Sequence, residues 1–361
     1  MKPTYKNMDL LFPEKLEKTL NQPIDSLVDD QDELLRGGQV LQPAFESLLY
    51  HDRWDPIKKD LDQLKGRDGL QRLPLINGND LISCFETRRK INKTLLTKPR
   101  FWQTSRGTTG DKKWMPLTIK DILHWFQRAK RLSDLYQGNS NKAHTLVLAI
   151  NEPKPRVSNA IPYLWEQVDY HISSGNLEWI IVSMEMLHRN HWDHFAIKKK
   201  PDWMMSSVRD ALDLSEKIDL GNYPDIQTAM PELDKGFFWG THLDGEGDYR
   251  SLLTSKYGLS ESHALYFSAE CRELYAECSA HDGLHLWMDE AIHEMRLKNG
   301  EILFVDQASA GMEGEYIFTC FYEALPLIRY RTGDLIRVVS NDPCECGITH
   351  PRVNFIGRLE E

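Results

Sequence analysis

The chain has 361 residues, is 41% hydrophobic and carries a net charge of −10. That length allows two or three packed units, the apolar content excludes wholesale disorder, and the acidity argues against nucleic acid as the main partner. The opening residues Met1–Asp9 are polar and show no export signal. No apolar run approaches membrane-spanning length, since Leu177–Leu187 is broken by Glu and Ser. Cysteines stand at Cys84, Cys271, Cys278, Cys320, Cys344 and Cys346. Without an export signal they read as thiols or a metal site rather than disulfides, and the cytoplasm is the default compartment.

Residues 1–72 read as a helical, charged segment without visible chemistry, as in Asp30–Arg36 and Pro43–Leu49. Leu73-Pro74-Leu75-Ile76 is a short extended piece before a helix start at Asn79-Asp80. Phe101–Thr104 and Trp114–Leu117 read as two strands joined by a loop. Thr118 is an N-cap for a helix whose apolar face is Ile122, Trp125, Phe126 and Ala129. Thr145–Ile150 and Trp179–Val182 are buried-strand candidates, and Val208–Ile218 is an amphipathic helix. Phe237–Gly240 and Ala264–Phe267 are apolar strands ending near polar or glycine-containing turns. From Gly283 the pattern changes to strands and turns: Leu284–Trp287, Gly300–Val305, Glu315–Thr319 and Leu335–Val339. The expected division is a helical segment (1–72), an α/β core (73–282) and a β-rich subdomain (283–361).

Four stretches carry chemistry. Ser105-Arg106-Gly107-Thr108-Thr109-Gly110-Asp111-Lys112-Lys113 offers glycine-permitted backbone N–H groups, hydroxyl donors and cationic charge, which suit a polyphosphate. A polar surface turn has the same composition, and the Walker spacing is absent. Asp334 follows Gly333 and so sits at a turn, either as an acceptor for a ribose diol or as an ordinary turn residue. Glu270 follows an apolar strand, at the carboxyl end where α/β sheets bind ligands; it suits Mg²⁺ or is a solvated helix-start residue. Cys344-Glu345-Cys346-Gly347 is half a metal site, to be completed by Cys278 and His285, with His281 as the rival imidazole. Four such ligands make a closed, structural zinc site; the alternative is two reduced cysteines in a turn. Cys84 and Cys320 read as small core residues.

In this order, a Ser-x-Gly-Thr-Thr-Gly loop, a Tyr-x-x-x-Glu strand end and Arg329-Tyr330-Arg331-Thr332-Gly333-Asp334-Leu335 resemble the adenylate-forming (acyl-activating) enzymes. The resemblance is to their phenylacetate–CoA ligase branch. It rests further on Glu277-Cys278 with Asp282-Gly283-Leu284-His285, on Gly314–Thr332, on Cys344–Gly347 and on Gly357-Arg358-Leu359-Glu360-Glu361. It is dense from Gly283 onward and around the loop, thinner from Thr145 to Tyr257, and weak before Leu73.

The resemblance implies an α/β fold: the large N-terminal domain of adenylate-forming enzymes, with helix-flanked β-sheets followed by a β-rich, distorted barrel-like subdomain. It implies that Ser105, Gly107, Thr108, Thr109 and Gly110 hold the phosphates of ATP and that Lys113 steadies the leaving pyrophosphate. Tyr266 would lie along the adenine, Glu270 bind Mg²⁺, Asp334 the ribose hydroxyls and Arg358 the ribose–phosphate side. Cys278, His285, Cys344 and Cys346 would bind structural zinc. A small carboxylic acid, aromatic or apolar if Trp239, Phe238, Phe267 and Tyr163 line a pocket rather than the core, would be adenylated and passed to coenzyme A. The implied protein is a cytoplasmic homodimer without nucleic-acid or membrane partners.

Departures from the pattern are Arg106 in the loop, Phe267 for a strand-end glycine, Ala269 for a hydroxyl residue and Trp239-Gly240-Thr241 for a more glycine-rich turn. The sequence stops at the acidic hinge, so the small mobile C-terminal domain of the family is expected to be absent. Two rival expectations remain: an amido synthetase with an amine acceptor, and a non-catalytic nucleotide- or acyl-binding relative.

Overall fold

The computed structural model describes residues 19–359 apart from 37–40, 58–63, 105–112, 122–130, 132–134, 137–143, 151–176, 184–200, 220, 222–224, 246, 267 and 271–273. The chain divides into two compact units. One comprises residues 1–128, 268–273 and 285–361; the other comprises 129–267 and 274–284.

The first unit opens with helices α1 (Ile24–Arg36), α2 (Leu41–Phe45), α3 (Leu48–Trp54), α4 (Gly66–Gln71), α5 (Gly78–Cys84) and α6 (Arg88–Thr94). Leu27, Gln31 and Leu35 recur at one-turn spacing and form the buried stripe of α1. The Gln31 amide, buried in that stripe, donates to the carbonyls of Met288 and Ala291 at 2.6 and 3.2 Å. Ser47 caps α3, accepting from the Leu49 N–H while donating to the Thr94 carbonyl. The cap of α5 falls on Asn77, ahead of the expected Asn79-Asp80 start, because Asn77 and Asp80 make a reciprocal capping box. β1 (Phe101–Thr104) pairs antiparallel with β2 (Trp114–Leu117), Thr104 opposite Trp114. Thr118 caps the helix that follows, in a box with Asp121.

The second unit is a sheet of β3 (His144–Ile150), β4 (Leu177–Ser183), β5 (Trp203–Ser207), β6 (Lys235–Trp239), β7 (Glu261–Tyr266) and β8 (Tyr275–Glu277). Its order is β4-β3-β5-β6-β7-β8, parallel except for the antiparallel edge strand β8. Helices α7 (Val208–Asp219) and α8 (Tyr249–Tyr257) belong to this unit. Phe238 is fully buried with Met204, Val208, Leu214, Leu253 and Tyr257. Its neighbours make it a core residue, which removes it from the acyl-pocket candidates; Phe237 next to it points to the other face of the sheet. Trp239 is half-buried, and Tyr163 and Phe267 lie outside the described residues.

After the short strand β9 (Leu284–His285), the first unit resumes with β10 (Ile292–Arg296), β11 (Ile302–Phe304), β12 (Glu313–Cys320), β13 (Leu327–Ser340) and β14 (Arg352–Arg358). They form an antiparallel order β11-β10-β12-β13-β14. Two buried ion pairs cross this region: Arg67 with Asp306, and Arg329 with Glu294. Cys84 and Cys320 are buried. No described helix is long and apolar enough to cross a membrane.

Burial holds two histidines neutral, His293 down to about 3 and His263 down to about 4. Both values lie below the unfolded one, so the unfolded chain binds more protons once the pH falls below about 6.5. Stability is therefore expected to be full near neutrality and to fall on acidification toward pH 4, by up to ~1.4 kcal/mol per pH unit for each histidine. Urea unfolding at pH 7 and pH 5 measures this; equal midpoints would contradict it.

Candidate active site

Lys113 sits at the foot of β2, and Glu270 four residues beyond the end of β7. They are 157 positions apart, yet Lys113 Nζ donates to Glu270 Oε1 at 2.5 Å. The same oxygen accepts from the Tyr330 hydroxyl at 3.1 Å, and Lys113 Nζ lies 3.4 Å from that hydroxyl. Glu270 and Tyr330 are buried, while the Lys113 side chain keeps 22% exposure. Burial, and then the Glu270 carboxylate, push the Tyr330 phenol well above its usual range, with Asp334 raising and Arg358 lowering it further. The hydroxyl therefore stays protonated and donates. Gly78, first residue of α5, lies against the Lys113 stem: a Cβ there would come within 2.8 Å of Lys113 Cε.

Asp334 is expected at a turn, but it lies within the continuous strand β13. A register shift falls between Glu315 and Ile317 opposite it, and Gly333 adopts φ +76°. The glycine makes a bulge that a residue with a side chain would strain, and Asp334 is re-aimed by it. Asp334 faces Arg358 across β13 and β14, with Arg358 Nε 3.3 Å from Asp334 Oδ1. The Thr332 hydroxyl accepts from the Asp334 N–H, and the Thr332 carbonyl accepts from Arg358. Lys113 and Glu270 thus meet at the Tyr330 hydroxyl, and the Asp334–Arg358 pair lies further along the same strand. That tyrosine stands inside the motif read from the sequence, yet there it was indistinguishable from a core aromatic.

Ser105, Gly107, Thr108, Thr109 and Gly110 lie outside the described residues. Tyr266 ends β7 in the second unit, its ring parallel to that of Tyr275 at 6.0 Å.

In the first unit, His285, Cys344 and Cys346 place one donor atom each within 4.8 Å of one another. Cys346 Sγ and His285 Nε2 are 3.6 Å apart. The Cys344–Ile348 hairpin closes with Cys344 N–H donating to Ile348 O and Gly347 N–H to Cys344 O, both at 2.8 Å. Two thiols and an imidazole suit zinc by donor softness. Cys278, the fourth residue named from the sequence, is buried at the end of β8 in the second unit. His281, the rival, is engaged elsewhere: its Nδ1 lies 3.1 Å from Glu277 and from Arg250.

His263, Glu277 and His281 also bring metal-type donors together in the second unit. Glu277 is already engaged: it accepts two bonds from Arg250 and one from the Ala264 N–H, and His281 Nδ1 lies 3.1 Å from it. Burial pushes its carboxyl up, but the bonds from His281 and Arg250 outweigh that and hold it below the usual range. A cation would have to displace a guanidinium, so this is an ion-pair node.

No family profile matches the chain. Among curated proteins, phenylacetate–coenzyme A ligase of Escherichia coli is 24% identical over 337 residues, covering 90% of this chain and 70% of that protein. The Thermus thermophilus enzyme of that name is 36% identical over 111 residues, 30% of this chain and only 22% of its own length. Among solved structures, 2-hydroxyisobutyryl-CoA ligase with its acyl-AMP and CoA superposes with a TM-score of 0.71 at 18% identity, covering 95% of this chain and 77% of that one. The AtGH3.15 acyl acid amido synthetase gives 0.63 at 13%, covering 96% and 70%. The chain has the fold of the adenylate-forming enzymes, and along nine-tenths of its length its sequence is phenylacetate–CoA ligase-like.

Proposed function

We propose that this chain carries the nucleotide- and acid-binding part of an AMP-forming acid–CoA ligase. What supports the reading above all is the meeting of Lys113 and Glu270 at Tyr330, 217 residues beyond Lys113, with the Asp334–Arg358 pair further along the same strand. A carboxylate attacking the α-phosphorus of ATP brings two anions together, so fixed positive charge and in-line positioning supply most of the acceleration. Lys113 would neutralise charge on the departing pyrophosphate. Asp334 would accept hydrogen bonds from the ribose hydroxyls, with Arg358 beside it on the phosphate side. Glu270 offers hard oxygen donors that fit Mg²⁺, an ion that adds charge neutralisation at the phosphates. Ser105, Thr108, Thr109 and the backbone of Gly107 and Gly110 complete the phosphate cradle in this reading. The acyl group would then pass from the adenylate to the thiol of coenzyme A, with AMP as the leaving group.

The test is pyrophosphate release from ATP and Mg²⁺ with a panel of aromatic and aliphatic carboxylic acids. Turnover with coenzyme A, and none with amino acids, is the expected result. Turnover only with amines would move the assignment to an amido synthetase; ATP binding with no turnover on any acid would make the chain a binding relative. A cytoplasmic homodimer goes with this reading, and light scattering measures the second part.

The thiols of Cys344 and Cys346 and the His285 imidazole belong to a structural zinc in the same reading. Purified protein should contain about one zinc per chain, and Cys344→Ser should lose most of it and lower the unfolding temperature. Zinc-free wild-type protein of unchanged stability would end that assignment.

A further inference from the structure

Tyr330 lies directly after Arg329, a buried non-glycine residue held at φ +54°, in the left-handed region. Such a conformation is strained for a residue with a side chain and persists only where the surroundings over-determine it. Here they do. The Arg329 guanidinium makes a two-pronged pair with Glu294 at 3.0 and 2.9 Å and also donates to the carbonyls of Gln71 and Leu73. Ile76 brackets Tyr330 on the backbone, its N–H donating to Arg329 O at 3.2 Å and its carbonyl accepting from Arg331 N–H at 2.8 Å. Upstream, the Tyr50 hydroxyl accepts from Ile328 N–H and donates to Pro326 O, both at 2.8 Å. A backbone pinned at so many points fixes where the Tyr330 ring leaves the strand.

What that fixed ring does is specific. Its hydroxyl and the Lys113 ammonium both bond the same atom, Glu270 Oε1, and among the described residues Oε2 takes no hydrogen bond. Resting on the proposed nucleotide site, we infer that Tyr330 is a positioning residue for Glu270: it commits one carboxylate oxygen and leaves the other as the oxygen offered to the divalent cation that accompanies the nucleotide. A carboxylate held by a lysine alone would pivot about that single contact. Held by two donors of different origin, it keeps one orientation before ligand arrives, which lowers the ordering cost of binding.

The experiment compares wild type with Tyr330→Phe by calorimetry without carboxylic acid, so that no turnover occurs. ATP is titrated once with excess Mg²⁺ and once with EDTA. About a tenfold weaker affinity for MgATP in the variant is expected, as for the loss of a hydrogen bond to a charged group, with ATP affinity in EDTA unchanged within about twofold. The half-saturating Mg²⁺ concentration for pyrophosphate release should rise in parallel, while KM for the acid stays put. If Tyr330→Phe fails to fold by circular dichroism, Tyr330→Met, which also fills the volume without a donor, takes its place. Equal losses with and without Mg²⁺, or no loss in either, would overturn the inference while leaving the nucleotide site standing. Wild-type protein that binds no MgATP would overturn both.

Discussion

Glu270→Gln is expected to lower pyrophosphate release by about 10²–10³-fold while leaving the fold intact, as for removal of one preorganised charge-stabilising group. The substitution keeps the shape of the side chain and an acceptor for Lys113 and Tyr330, so packing changes little. It removes the negative charge, and with it the hard oxygen donor that suits Mg²⁺. It also leaves the Lys113 ammonium, 22% exposed, without the anion 2.5 Å away that now balances it. Lys113→Met should cost a similar factor for the opposite reason, since the pyrophosphate then leaves without its counter-charge. The two groups touch, so the double variant should lose far less than the product of the single losses. Steady-state pyrophosphate release, with circular dichroism as the control for folding, decides the matter. Activity within threefold of wild type in Glu270→Gln would place the chemistry elsewhere.

Arg329→Met should destabilise the protein by about 3–5 kcal/mol, the range for stripping one partner from a buried ion pair. Arg329 and Glu294 keep 4% and 0% of their side-chain exposure, so solvent offers little relief to the carboxylate left behind. Burial already pushes the Glu294 carboxyl up, and the Arg329 guanidinium is what opposes that. Two backbone carbonyls, of Gln71 and Leu73, lose a donor as well. Replacing both residues by apolar ones should recover part of the loss, because no uncompensated charge then stays inside. Denaturant unfolding of Arg329→Met, and of the double variant Arg329→Met with Glu294→Leu, measures both effects. A double variant less stable than Arg329→Met alone would show that the pair contributes more than charge compensation.

Much of the local structure was legible in the residues. The strands at 101–104 and 114–117, the Thr118 cap and the amphipathic helix at 208–219 all stand where periodicity and capping chemistry put them, because those signals act between residues a few positions apart. The special character of Asp334 was legible through the glycine before it, although as a turn rather than the bulge within β13 that Gly333 makes. The apolar run at Phe237-Phe238 announced a strand but not which ring faces the helices, since that depends on the register with β5 and β7.

Residue types alone therefore determined the elements and the chemistry on offer: a cationic end to a glycine–threonine loop, a carboxylate past a strand, an acid after glycine, paired thiols. Only the tertiary structure decided that Lys113 and Glu270 share a contact across 157 positions and that Tyr330 joins them. The reason is physical. A contact over such a distance carries no local signature; it exists because strand pairing and the burial of Arg329 with Glu294 fix the backbone at Tyr330, and only the folded chain brings positions 113, 270 and 330 together.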